Sequence, residues 1–106
     1  MSNGSKLAGM LYGVDAVSEG GIRREKEKAR RLRCSHWWMR KTRKGVCYYC
    51  HREVGSKNLT MDHVVPLSRG GKSKKGNIVP ACKICNNKKM YLLPIEWEEY
   101  LKTLAG

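Results

Sequence analysis

The chain has 106 residues, of which 41% are hydrophobic and none is Phe, so it has room for one small domain. Twenty-two Lys and Arg residues stand against nine Asp and Glu residues, and the formal net charge of +13 indicates a polyanionic partner, most commonly nucleic acid. No segment approaches the roughly 20 apolar residues of a membrane span, and the first residues lack the pattern of a secretory signal, so we expect no membrane association.

The N-terminal part of the chain divides into a Gly- and Ser-rich stretch and a basic stretch. Residues 1–21 predict a flexible arm, because Gly and Ser favour irregular backbone. Residues 22–44 predict a basic helical segment, since good helix formers without Gly or Pro indicate a helix over 22–40. Eleven basic and two acidic residues lie between positions 23 and 44, as expected of a segment that binds a polyanion. Its Trp37 and Trp38 either pack on the domain, which we favour, or stack on bases.

Two Cys-x-x-Cys pairs follow within residues 45–92, and each pair has the spacing of a metal-binding knuckle. Four thiolates form a closed tetrahedral set suited to a structural Zn²⁺, which would stabilise a domain with a small apolar core. Disulfides or an iron–sulfur cluster are the alternatives. Because such a set leaves no open coordination position, the zinc is expected to take no part in catalysis. The four ligands would be Cys47, Cys50, Cys82 and Cys85, with Cys34 left as a buried or idle thiol.

The remaining segments carry strand, turn and helix signals in alternation. Residues 56–61 and 64–66 predict short strands, and residues 69–76 predict a flexible basic loop. A helix is predicted to begin at Asn86, directly after the last cysteine of the second pair. Residues 93–106 predict an amphipathic helix, whose apolar stripe we expect in the core or at an interface: Trp97, Leu101 and Leu104.

Three short motifs accompany the cysteine pairs. The first is Asp-His-Val-Val-Pro-Leu-Ser-Arg-Gly-Gly, which begins at Asp62, and the second is an Asn fourteen residues after His63. The third is Cys-x-x-Cys-Asn-x-x-Lys, which begins at Cys82. This combination resembles the HNH endonuclease family, in the group whose ββα-metal site is braced by a four-cysteine zinc knuckle. The resemblance runs from about Cys47 to Lys89, roughly two-fifths of the chain.

The resemblance implies an α+β fold, with a small ββα-metal nuclease core braced by the zinc site and flanked by α-helices. In the family, the motif His is the general base, the Asp before it and the residue after the last cysteine bind the catalytic cation, and the middle Asn is an orienting residue. The resemblance thus implies His63 and Asn77 as catalytic residues and Asp62 and Asn86 as metal ligands. Asn87 replaces Asn86 if the register is off by one. Because Asn offers an oxygen donor, this His-Asn-Asn variant favours Mg²⁺ or Mn²⁺.

The chemistry of phosphodiester hydrolysis needs the same residue types. Neutral His63, with an ordinary pKa of about 6.5, can take a proton from water at physiological pH. A cation held by Asp62 and Asn86 can bind the scissile phosphate and the leaving oxygen. Adjacent residues of a regular strand point to opposite faces, so Asp62 and His63 require a bend or bulge to serve one site. The plain alternative for Asp62, Asn77 and Asn86 is a role in turns or helix caps.

Basic side chains surround these motifs and are expected to contact the phosphate backbone, which gives affinity with little sequence information. These nucleic-acid-binding residues are Arg69, Lys72, Lys74, Lys75, Lys88 and Lys89. We therefore predict a divalent-metal-dependent DNA endonuclease that nicks one strand per site, leaves a 5′-phosphate and has low sequence specificity. We expect double-stranded DNA as the substrate, a monomer or homodimer, and a cytoplasmic location for a bacterial or phage-encoded protein.

Two other hypotheses stay open on the sequence alone. A non-catalytic zinc-knuckle nucleic-acid-binding protein would explain the charge and the cysteines, but it leaves the spacing of the Asp, His and Asn residues as a coincidence. A nuclease that acts on RNA is the other hypothesis.

Overall fold

The computed structural model describes residues 17–105 and gives this part of the chain a small α+β fold. Among these residues, a two-stranded antiparallel sheet is accompanied by four helices, consistent with a ββα-metal fold. The predicted fold class is therefore confirmed. The elements in chain order are α1 (Glu19–Arg33), α2 (His36–Thr42), β1 (Leu59–His63), β2 (Ile78–Cys82), α3 (Lys83–Lys89) and α4 (Pro94–Ala105).

The first helix begins earlier than the sequence indicates. Ser18 caps it, because its hydroxyl accepts a hydrogen bond from the backbone N–H of Gly21 at 3.0 Å. Residues 19–21 are therefore helical, although the sequence pattern includes them in a flexible arm. The rest of that arm, residues 1–16, lies outside the described residues.

The single basic helix predicted over 22–40 is in fact two helices, α1 and α2, separated at Cys34 and Ser35. Ser35 makes the break, since its hydroxyl donates to the carbonyl of Leu32 at 2.6 Å and accepts from the N–H of Trp38 at 3.3 Å. These two bonds end one helix and cap the next. Trp38 is buried and Trp37 is half-buried, as the packing interpretation of the two tryptophans requires.

The two strands pair in regular antiparallel register, from Leu59 opposite Cys82 to His63 opposite Ile78. Every residue of β2 is buried, which explains why it reads as a continuous apolar run. The predicted strand at 56–61 begins three residues late, because residues 56–58 form a 3₁₀ turn. The predicted strand at 64–66 is wrong. Those residues are not part of the sheet, and the backbone of Val65 forms hydrogen bonds with the side chain of Asn77 instead.

Helix α3 follows β2 without a loop, so it begins at Lys83 and not at Asn86. Cys82 is its N-cap, with the sulfur accepting from the N–H of Cys85 at 3.4 Å. A sulfur atom takes the place of the usual Ser, Thr, Asp or Asn oxygen at this cap, and the sequence pattern therefore placed the helix start three residues late.

Helix α4 agrees with the predicted C-terminal helix, but only one residue of its apolar stripe is buried. Trp97 packs against Tyr49 with ring centroids 5.6 Å apart. Leu101 and Leu104 are 41% and 59% exposed, so the predicted core position fails for these two. Within the described residues, no helix is long and apolar enough to cross a membrane.

The turn at residues 70–71 has no room for a side chain. A Cβ atom at Gly71 would overlap the carbonyl oxygen of Val65 and lie 2.7 Å from its carbonyl carbon. The N–H of Gly71 also donates to the carbonyl of Pro66 at 2.9 Å, which holds the two backbones together. The loop that leads away from β1 therefore depends on this glycine.

We expect Gly71→Ala to lower the free energy of unfolding by at least about 2 kcal/mol, because backbone atoms must move to accept the methyl group. Gly76→Ala in the same loop is the matched control, since a Cβ there meets no atom within 4 Å. Urea unfolding of both variants measures the difference. Equal midpoints for the two variants would contradict this account of the turn.

Candidate functional site

Four cysteine sulfurs meet at one point, where the 47–50 turn packs against the junction of β2 and α3. Their sulfur atoms all lie within 4.8 Å of one another, and Cys50 Sγ is 3.8 Å from Cys82 Sγ. Zn–S bonds of about 2.3 Å in a tetrahedron give S···S edges of about 3.8 Å, so this set fits a zinc ion. A disulfide needs about 2.05 Å, and the cysteines are free thiols. The predicted ligands come together as a metal-binding set: Cys47, Cys50, Cys82 and Cys85.

Backbone N–H groups orient the sulfurs on both sides of the cluster. The N–H groups of Tyr49 and Cys50 point at Cys47 Sγ, at 3.3 and 3.5 Å. His51 then takes a left-handed backbone conformation, with φ of 62°, which reverses the chain. The His51 side chain is exposed and is not a member of the cluster.

Two thiols of the cluster differ in how readily they lose a proton. Arg52 Nε donates to Cys50 Sγ at 3.4 Å and lowers the pKa of that thiol to about 6. Burial instead raises the pKa of Cys85 above its usual value. A dication would supply the positive charge that the buried thiol lacks, and its binding would release the proton.

The Asp62 carboxylate is 5% exposed and has two partners from other elements. The Tyr49 hydroxyl donates to Oδ2, and Lys89 Nζ lies 3.3 Å from the same oxygen. Both contacts engage Oδ2 and not Oδ1. Burial, together with the bond to the carboxylate, raises the pKa of Tyr49, so this phenol stays protonated as a donor.

Lys89 differs from the surface lysines with which the sequence groups it. Its side chain is completely buried, and its ammonium group also donates to the carbonyl of His63 at 3.2 Å. A buried ammonium is costly without a counter-charge, and Asp62 supplies one. Lys89 is therefore inside the domain, and not on the surface that a phosphate backbone would contact.

Asn86 lies over the same face of β1 as Asp62. Its Nδ2 donates to Thr60 Oγ1 at 2.9 Å, and Thr60 is two residues before Asp62, so the two strand residues share a face. On α3, Asn86 and Lys89 are three residues apart and also share a face. Two parallel contacts, Asn86 to Thr60 and Lys89 to Asp62, thus hold α3 against the strand. Asn87, by contrast, is exposed.

His63 is the last residue of β1, and the ladder is regular up to it. The predicted bend or bulge between Asp62 and His63 is therefore wrong. Strand alternation separates the two side chains: the Asp62 carboxylate contacts α3, while His63 Nε2 lies 2.9 Å from Ser73 Oγ in the following loop.

The hydrogen bonds of Ser73 determine the tautomer of His63. The Ser73 hydroxyl donates to the backbone carbonyl of Glu25 at 2.5 Å, and a hydroxyl has only one proton to give. His63 Nε2 must then be the donor to Ser73 Oγ, so Nδ1 of the neutral ring is the acceptor.

Burial also favours the neutral form of this ring. It lowers the pKa of His63 below the ordinary value, against the opposing effect of Asp62. The positive charges of Arg33 and Lys89 act in the same direction as burial. An imidazole that is neutral at physiological pH can accept a proton.

Asn77 is buried and contacts only backbone groups, none of them in His63. Its Oδ1 accepts from the N–H of Val65 at 2.9 Å, and its Nδ2 donates to the carbonyls of Val65 and Lys72 at 3.0 and 2.9 Å. The side chain thus bridges the two ends of the loop that carries Ser73. Any orienting effect of Asn77 on His63 would act through this loop.

Comparison with known proteins agrees with the motifs. Residues 47–96 match the family model described as HNH endonuclease. The resemblance to the HNH endonuclease family is confirmed. The CRISPR-associated endonuclease Cas9 of Actinomyces naeslundii is 36% identical over 45 residues, which is 42% of this chain and 4% of that protein. The chain thus corresponds to a small part of this relative, and α1 and α2 precede the matched HNH segment.

The basic residues of the HNH segment lie in two groups. Lys72, Lys74, Lys75 and Lys88 are exposed, and Lys75 Nζ is 5.9 Å from the centre of the Trp37 ring. Arg69 instead forms an ion pair with Glu96 of α4 at 3.0 Å, which holds the loop to that helix.

Several residues that support the site are not visible from the motifs. The position of Thr60 could have been inferred in part, because a strand residue two positions before Asp62 lies on the same face as Asp62. Lys28 and Arg31 of α1 line a cavity of about 360 Å³ together with Lys74 and Lys75, and only the basic run in the sequence hints at this. Tyr49, Glu25 and Ser73 have no sequence signal, because their contacts join segments far apart in the chain.

We expect Cys47→Ser to remove bound zinc and to lower the melting temperature by 10 °C or more, on the order of the loss of a structural metal. Cys34→Ser is the matched control, because Cys34 is exposed at the end of α1 and lies outside the cluster. Elemental analysis of the purified chains gives the zinc content, and thermal unfolding gives the stability. Full zinc content in Cys47→Ser would refute the four-sulfur site.

Proposed function

We propose that this chain is a divalent-metal-dependent endonuclease that hydrolyses phosphodiester bonds in DNA. The observation that carries the proposal is the docking of α3 on β1, which brings Asn86 to the strand face of Asp62. His63 is the last residue of the strand and points to the other side, so the scissile phosphate would have to lie across the end of the strand to reach both the cation and the base. The match to the HNH family supports nuclease activity at the family level.

Asp62 and Asn86 are the residues that would hold the catalytic cation. Their carboxylate and amide oxygens are hard donors, which suit Mg²⁺ or Mn²⁺ better than a thiophilic ion. When bound, such an ion would neutralise charge on the scissile phosphate and stabilise the leaving oxygen. The bond from Asn86 Nδ2 to Thr60 fixes the amide group so that its oxygen is free to face away from Thr60.

His63 acts as the general base in this proposal. Its Nδ1 takes a proton from water while Nε2–H remains bonded to Ser73, and the resulting hydroxide attacks phosphorus. The bond from phosphorus to the 3′ oxygen breaks, which leaves a 5′-phosphate, and the departing 3′ oxygen takes a proton from solvent water to become a 3′-hydroxyl. Burial lowers the pKa of His63, and the charges of Arg33 and Lys89 act in the same direction, against those of Asp62 and Glu25.

We expect His63→Ala to reduce the rate of plasmid nicking by about 10²–10⁴-fold, the usual contribution of a general base. The assay uses supercoiled plasmid with Mg²⁺ or Mn²⁺ and the zinc-loaded chain. His36→Ala is the matched control, because His36 is exposed at the start of α2 and belongs to no part of the site. Nicking at the parent rate in His63→Ala would exclude this mechanism. Tight DNA binding without any cleavage by the parent would favour the non-catalytic binding protein.

The exposed basic residues support contact with the nucleic-acid backbone. Lys74 and Lys75 belong to the loop after β1, and the cavity that they share with Lys28 and Arg31 concentrates positive charge beside Ser73. Such contacts give affinity without reading bases, so we propose low sequence specificity. A single site of this kind cuts one strand, so a monomer would nick double-stranded DNA.

We expect the double variant Lys74→Gln/Lys75→Gln to bind DNA with a weaker dependence on salt. Each lost phosphate contact reduces the slope of log K against log salt concentration by about 0.9. Lys102→Gln is the control, because Lys102 is an exposed residue of α4 whose ion pair, with Glu99 at 3.9 Å, lies on the surface of that helix. Fluorescence anisotropy across a salt series measures the slopes, and an unchanged slope in the double variant would remove these lysines from the DNA surface. An RNA duplex in the same assay tests the competing substrate.

A further inference from the structure

We propose that Glu25 and Ser73 are positioning residues that hold the ring of His63 in the tautomer that hydrolysis requires. Glu25 belongs to α1, which precedes the matched HNH segment. The inference rests on the proposed nuclease function, in which His63 is the general base. It makes α1 a part of the catalytic unit as well as a basic surface.

The link between α1 and the loop is short, buried and made by two hydrogen bonds. Glu25 Oε1 accepts from the N–H of Ser73 at 2.6 Å, and the backbone carbonyl of Glu25 accepts from the Ser73 hydroxyl at 2.5 Å. Glu25 is 5% exposed and Ser73 is 7% exposed, although 48 residues separate them in the chain. Ser73 is thus fixed at both its backbone and its side chain by a single residue of α1.

The charge of the buried Glu25 carboxylate is balanced locally. Its bond from the N–H of Ser73 lowers its pKa despite burial, and Lys28 Nζ lies 3.2 Å from the other oxygen. The carboxylate is therefore a stable acceptor at neutral pH, and the loop residue that it holds has a defined place.

The backbone carbonyl of Glu25 accepts the single hydroxyl proton of Ser73, so that this proton cannot be donated to His63. Without that acceptor, the hydroxyl could rotate and donate to His63 Nε2, and Nε2 would become the acceptor instead. The ring would then carry its proton on Nδ1 for part of the time. A ring in that form cannot take a proton from water at Nδ1, so the active fraction of the enzyme would fall.

The first experiment compares three serine variants of the full zinc-loaded chain. Ser73→Ala removes the acceptor for Nε2–H, and we expect kcat for plasmid nicking to fall about tenfold, a part of what a general base contributes, with KM within twofold of the parent. Ser73→Thr keeps the hydroxyl and should recover most of kcat. Ser68→Ala is the matched control, since Ser68 is exposed in the same loop. A parent-like kcat in Ser73→Ala would overturn the proposal, as would a change confined to KM.

The second experiment does not depend on activity, and its measurement on the parent does not depend on tolerance of a substitution at position 73. Ring ¹⁵N chemical shifts of the parent, at about pH 8 where imidazole is neutral, report which nitrogen of His63 carries the proton. We expect the proton on Nε2 in the parent and a mixture of tautomers in Ser73→Ala. A proton on Nδ1 in the parent would overturn the proposal even if the chain cuts DNA. If the parent does not cut DNA, the nuclease proposal fails separately, and these shifts still decide whether the bond to Ser73 fixes the tautomer of the ring.

Discussion

The four cysteine sulfurs close a loop of the chain, and the strand that carries Asp62 and His63 lies inside that loop. Thirty-one residues leave the cluster at Cys50 and return to it at Cys82, and they include all of β1 and most of β2. The buried apolar cluster around the sulfurs is small, with Ala81 as its one buried member that is not a cysteine. Metal binding in such a domain contributes directly to the free energy of folding, because the site does not exist in the unfolded chain. An ion bound by the four sulfurs would therefore fix both ends of the segment between the cysteine pairs.

Strand alternation then distributes the support of the site over two helices. Asp62 points towards α3, where Lys89 meets it, while His63 points towards the loop that α1 holds through Ser73. The zinc cluster positions the first of these helices directly, since Cys82 caps α3. The cysteine cluster does not contact α1 in this way. Helix α1 is linked to the site through the side chain and the backbone carbonyl of Glu25, which both bind Ser73. Glu25, a buried acid in a basic helix, supplies the contact that joins α1 to the loop of Ser73.

The sequence predicts those parts of the fold and site that depend on local spacing. The cysteine set could be predicted, because two pairs with the same spacing supply the four sulfurs of one site. Of the two strands, β1 was predicted in part by the pattern over residues 56–61, whereas β2 was not, because the second strand was placed at residues 64–66. The break at Ser35 was missed, because a serine hydroxyl ended the helix within a run of good helix formers. The burial of Lys89 was missed because a basic run is typical of a solvated surface, and only the fold brings Asp62 beside it. Glu25 and Ser73 could not be paired, since nothing local links residues 48 positions apart.

Two hydrogen bonds fix His63, one at its backbone carbonyl and one at its ring, and their partners lie on opposite sides of the sheet. Lys89 of α3 donates to its backbone carbonyl, and Ser73, fixed by α1, accepts from its ring. The ammonium of Lys89 is buried, so it is costly to move without its partner Asp62, and the strand end is correspondingly rigid. The hydrogen bond to Ser73 fixes the orientation of the ring. The bond to the backbone carbonyl cannot do this, because a fixed Cα still permits rotation about the two side-chain torsions of histidine. In the proposed mechanism the general base must keep one nitrogen directed at the water that it deprotonates, and the backbone bond from Lys89 together with the ring bond to Ser73 meets that requirement.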